Sequence, residues 1–188
     1  MVDAQTAPLA DWSSFYVIVG SSGAALIGLQ FVVITLIAEI GIYSTHAQIR
    51  AFATPTIMHF GAALLLSTIM SAPWHSLTGV AIALRVIGLL GVLYAVLTLW
   101  RARSQHDYEP VWQDWLFHNV IPFVLYTALL IAAIFIRTHE REVLFIIAGV
   151  ALSLLLMSIR NAWDTVIYIV LDRAKMPHPE RPRDAQHD

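Results

Sequence analysis

Five consecutive residues, Arg160, Asn161, Ala162, Trp163 and Asp164, interrupt the last long apolar run of the chain, residues 143–171. A cation, an amide and an anion stand there among Leu, Met, Ile and Val. A charge at membrane depth costs at least ~2.5–3.5 kcal/mol on insertion scales, so it is usually kept with a partner or a role. On a helix Arg160 and Asp164 are four residues apart and share a face, where each neutralises the other. The spacing predicts a membrane-embedded polar site. It also predicts a mutually dependent pair, because removing one partner of a buried pair costs ~3–5 kcal/mol.

Other apolar runs carry groups that could join it. His59 shares a helical face with Pro55, Thr56, Ala63 and Ser67, and His118 falls with Pro122 and Tyr126. Glu39 closes the first run. Convergence of His59, His118, Glu39 and Asp164 would line a proton relay or solute path. Alternatively, His59 and His118 on two helices could ligate a haem, or a divalent metal with Asp164 or Glu39. A lone histidine on a helical face is more often a hydrogen-bonded core residue than a ligand. Zincin, nucleophile-elbow, Walker and Rossmann patterns are absent from the sequence. His139-Glu140 lacks the second histidine of a zinc motif, so the expectation is a protein without a resident cofactor and without catalysis.

Composition says what positions these groups. The 188 residues are 58% hydrophobic and 13% charged, with a mean hydropathy of +0.69. Soluble domains carry about 25% charged residues, so the chain reads as an all-α integral membrane protein. A net charge of −2 and the lack of a basic face exclude a nucleic-acid binder. With no cysteine, disulfides, thiolate chemistry and iron–sulfur ligation are excluded. Residues 1–14 contain Asp3 and Asp11 but no Lys or Arg, unlike a secretory signal, so the first apolar run is expected to stay as a span.

Runs of about 20 apolar residues suffice to cross a bilayer. Five occur, near 15–42, 51–72, 77–100, 115–136 and 143–171. They predict a five-transmembrane-helix bundle over 15–171, an N-terminal segment 1–14 outside, and a disordered cytoplasmic tail 172–188. Only Pro73, Trp74, His75 and Ser76 separate the second and third runs, which requires a tight antiparallel hairpin. Pro55 should fall in the first turn or so of the second span, while Pro122 lies deep enough in the fourth to kink it. With the N-terminus outside, the inner segments hold Arg50, Arg101, Arg103, Arg173, Lys175, Arg181 and Arg183, against Arg137 and Arg141 outside. Seven against two orients the chain N-out and C-in, in a plasma or inner membrane.

Small residues should mark where helices touch. Gly20, Ala24 and Gly28 form a small-xxx-small stripe on the first span. Gly149 and Ser153 fall within about 60° of Arg160 and Asp164 at 100° per residue, so close packing and charge are expected on one inward face. Gln30 falls off the first stripe and is left for another helix or subunit. Arg85, eight residues into the third span and about 12 Å deep, should snorkel to outer phosphates or line an outer vestibule. The functional expectation is an ion, proton or small-solute pathway in a homo-oligomer in the lipid bilayer. The alternatives are an accessory subunit of a larger membrane complex and a His-ligated haem or metal enzyme.

Overall fold

The computed structural model describes residues 7–39, 46–103 and 116–174, with side chains over 9–36, 54–100, 116–117 and 120–167. Every regular element among them is helical. A short α1 (Ala7–Asp11) leads into α2 (Ser13–Glu39), followed by α3 (His46–Ser71) and α4 (Leu77–Arg103). A π-helical turn, Leu116–Val120, passes directly into α5 (Ile121–Phe135), and α6 (Glu140–Ala174) is last. Among the described residues four helices are long and apolar enough to cross a membrane, over Ser13–Leu36, Thr54–Ser71, Leu77–Trp100 and Glu140–Ile167. The fifth expected span is shorter: the 15 residues of α5 rise about 22 Å, and the π turn lengthens it.

The expected boundaries hold at the hairpin. Trp74 fixes it, donating its indole N–H to the carbonyl of Ile69 at 2.6 Å and leaving space only for a hydrogen at Gly79. At other ends the helices outrun the sequence reading. Because α3 begins at His46, Pro55 is its tenth residue and lies inside the helix rather than in the first turn. There it removes the N–H that would bond the carbonyl four residues back. Where a kink is expected, Pro122 is the second residue of α5, directly after the π turn Leu116–Val120, an early-turn position at which its missing N–H costs little. Helix α6 runs on to Ala174, into the stretch expected to be tail; residues 1–6 and 175–188 lie outside the described residues.

The chain runs up and down with α6 at the centre. Helix α2 packs on α3 and α4 on α5, while α6 lies against both α3 and α5. Glycines set the closest approaches. A Cβ at Gly20 would sit 2.9 Å from Cβ of Ser67, and one at Gly88 2.9 Å from Cα of Leu130. One at Gly91 would overlap the ring of Tyr126. Around the core of Leu66, Leu84, Leu129, Ile147 and Leu154, the outward surfaces are also apolar, with Val17, Leu29, Leu90 and Phe145 exposed. Hydroxyls are spent locally: Ser21, Thr35, Ser67, Thr98, Thr127 and Ser158 each donate to the carbonyl four residues back. That pattern suits helices whose polar groups must be satisfied within the segment.

Candidate functional site

The contacts fix the register of the helices and with it a common height for several buried polar side chains. Gly23 of α2 faces the Phe60 carbonyl, Leu64 and Leu155. Seven residues further along α2 is Gln30, six further along α6 is Asn161, and four to eight back along α3 is Thr56. Each step is about 6–12 Å toward the same end of the bundle. Gln30, Thr56 and Asn161 are all buried there. His59 lies one turn from Thr56, is 1% exposed, and places Nδ1 2.9 Å from the hydroxyl of Tyr126 on α5. An unprotonated Nδ1 accepts from the phenol, whereas a protonated one donates to its oxygen. Tyr94 of α4 meets the imidazole edge-on, with ring centroids 6.1 Å apart. The five helices α2–α6 thus each contribute at least one of these groups, which fall within about two turns of one another along the bundle.

Asn161 differs from the rest of the layer. It is 1% exposed, and neither its Nδ2 nor its Oδ1 has a hydrogen-bond partner. Leaving a buried polar group unpaired costs ~1–3 kcal/mol. Its backbone carbonyl, by contrast, accepts the Thr165 hydroxyl at 2.8 Å.

The face expected to point inward on α6 points outward. Gly149 is exposed, with nothing within 4 Å of a Cβ placed on it; Ser153 is only half-buried. Arg160 and Asp164 follow the same line, their side chains 39% and 50% exposed and Nε 3.7 Å from Oδ2. The buried face is instead Leu144, Ile147, Ala151, Leu154, Ser158 and Asn161. Arg160 lies about 30 Å of helix rise from Glu140, roughly the thickness of a hydrocarbon core. Its guanidinium carbon sits 3.3 Å from the centroid of the Phe117 ring in the π turn, a cation–π contact. Trp163 is exposed beside it. This is the chemistry of a membrane–water boundary, where a charge keeps contact with water. Arg160 and Asp164 thus stand partly exposed on the outer face of α6, while His59 is buried and hydrogen-bonded to Tyr126.

The first small-residue stripe is also only partly used inside the chain. Gly20 is buried against Ser67, but Ala24 and Gly28 are exposed and Gly28 has open space over it. The seam follows Tyr16, Gly20, Gly23 and Gln30, so Gln30, set aside in the sequence reading, is the buried residue. Between α2 and α3 an open groove of about 470 Å³ is lined by small and apolar residues including Gly20, Ala24 and Leu64. Arg85 clamps the end of α5, Nε donating to the Ala133 carbonyl at 3.1 Å and Nη2 to that of Ile134 at 3.4 Å. It satisfies carbonyls that the helix leaves open, with a cation at the negative end of the dipole. The backbones of Glu39 and His118 lie in α2 and the π turn, and their side chains lie outside those described. Among the described residues no three His, Asp or Glu side chains come together as a metal site. Tyr94 carried no signal in the sequence, and the association of Tyr126 with His59 and the burial of Gln30 depend on inter-helix register, which no single-helix periodicity contains. No family model matches the chain, and neither a curated protein nor a solved structure matches it.

Proposed function

We propose that the protein is a five-span, N-out and C-in membrane protein whose buried polar layer lines a pathway for an ion, a proton or a small solute. The observation that carries the reading is that buried Gln30, Thr56, His59, Tyr126 and Asn161, with half-buried Tyr94 beside His59, fall within about two turns of one another in a largely apolar bundle. Buried polar groups at membrane depth are expensive and mark pathways more often than surfaces. The seven-to-two distribution of Lys and Arg supports the orientation. Ala24, Gly28 and Gly149, small and outward-facing, suit the close approach of a second copy.

Purified protein in lipid vesicles tests this. Vesicles containing it should pass protons, monovalent ions or small polar solutes faster than protein-free vesicles. The double variant His59→Leu, Tyr126→Phe should return the rate toward the protein-free value. Wild-type rates at that value for all three classes would overturn the pathway reading.

The outward Arg160–Asp164 pair favours a second reading, an accessory subunit that presents this face to a larger membrane complex. Cross-linking in native membranes from Ala162→Cys separates the two. Products of multiples of one chain mass support the homo-oligomer, and mixed products support the accessory subunit.

A further inference from the structure

The chemistry of the polar layer narrows what it can take, an inference that rests on the pathway reading above. Its members are two carboxamides, a hydroxyl, an imidazole and two phenols. No Asp, Glu, Lys or Arg is buried among the described residues. Arg160 and Asp164 stand half exposed on the outer face of α6, and Arg85 is held by the end of α5. Among the described residues an ion brought into the layer would meet no buried counter-charge on leaving water, which disfavours it. Cation filters solve that problem with rings of loop carbonyls. Here the layer sits within helices, and the carbonyls of Tyr94 and Asn161 also accept the hydroxyls of Thr98 and Thr165.

Asn161 supplies an independent pointer to a guest. Its carboxamide is buried, with both the donor and the acceptor end unmatched by the protein. Ser158, one turn earlier on the same buried face, instead donates to the Leu154 carbonyl at 2.7 Å. If Asn161 served to tie helices together, it would bond across to a neighbouring helix, and it does not. A carboxamide with both ends open is complemented by a molecule that accepts and donates at once. We propose that the polar layer binds and passes a small neutral solute bearing both hydrogen-bond donors and acceptors, and that Asn161 is the residue that recognises it.

Stopped-flow light scattering on vesicles carrying the full chain tests the proposal, with water, urea and glycerol as neutral probes. Flux of K⁺, Cl⁻ and H⁺ is followed in the same vesicles. At least one neutral probe should cross faster than in protein-free vesicles while the ions stay at the protein-free rate. Asn161→Leu keeps the side-chain shape without the amide. It should lower the neutral-probe rate about tenfold, the worth of one or two neutral hydrogen bonds. Its unfolding midpoint in detergent should stay level or rise, because two unmatched polar atoms are gone. Asn161→Ser, which keeps a donor and an acceptor, should give an intermediate rate. A full rate with a sharply lower midpoint in Asn161→Leu would make the residue structural and overturn the proposal. So would equal rates in the Ser and Leu variants. Ion flux without neutral-probe flux overturns this inference and leaves the pathway reading standing; loss of both kinds of flux removes both.

Discussion

Arg160 and Asp164 attract notice in the sequence because charge is rare in apolar runs, and the structure gives them a modest task. Their side chains are 39% and 50% exposed and the closest approach of the charged atoms is 3.7 Å. Pairs of that kind contribute ~0–1 kcal/mol, much less than a buried pair. The prediction is that Arg160→Gln and Asp164→Asn show a coupling energy below ~1 kcal/mol in a double-mutant cycle of detergent unfolding. A coupling of several times that size would mean that the pair is buried in the working protein, for instance under a second copy. Arg160 should lose more than its charge when changed, because its guanidinium also covers the Phe117 ring. At this scale the sequence made His59 legible. It is a buried polar residue on an apolar helix, and it turns out to be hydrogen-bonded rather than free. Its partner Tyr126 lies 67 positions away, a distance no local pattern spans.

Helices in lipid conceal their orientation, because the core-facing and lipid-facing sides are both apolar. That is why the hairpin and four of the spans were readable in this chain, though not their ends, while the faces of α2 and α6 were not. Steps of four along a helix advance the side chain by about 40° each, so Gly20, Ala24 and Gly28 drift off any straight seam. The packed seams alternate steps of four and three, as in Tyr16, Gly20, Gly23, Ile27 and Gln30, the periodicity of left-handed helix pairs. Glycines on and off these seams should respond oppositely to a methyl group. Gly91→Ala drives a Cβ into the Tyr126 ring; it should destabilise by ~1–3 kcal/mol and loosen the His59 hydrogen bond. Gly28→Ala and Gly149→Ala meet nothing within 4 Å and should gain up to about 1 kcal/mol from helix propensity. Detergent unfolding midpoints decide it. A loss at Gly28 or Gly149 as large as that at Gly91 would reveal an interface over the outward glycines.

At the scale of the whole molecule, the count of spans and the placement of the termini are one question. Four helices have the length and apolarity to cross, and α5 with its π turn is the short fifth. Loop charge favours an outside N-terminus. If α5 crosses, an odd number of spans puts the two termini on opposite sides of the membrane. If it only dips into the bilayer, the termini share a side. The contacts of α5 argue for crossing. It packs along α4 from Gly91–Tyr126 to Gly88–Leu130, and its end is clamped by Arg85 from the first half of α4, so it runs antiparallel to a helix long and apolar enough to span. The chain has no cysteine, so single cysteines can be placed freely. Ala4→Cys should react with a membrane-impermeant maleimide in intact cells, and Ala185→Cys should react only after the membrane is opened. Labelling of both from outside, or of neither, would leave four crossings. The reverse pattern would keep five and turn the molecule over, placing the layer of His59, Tyr126 and Asn161 nearer the outer surface.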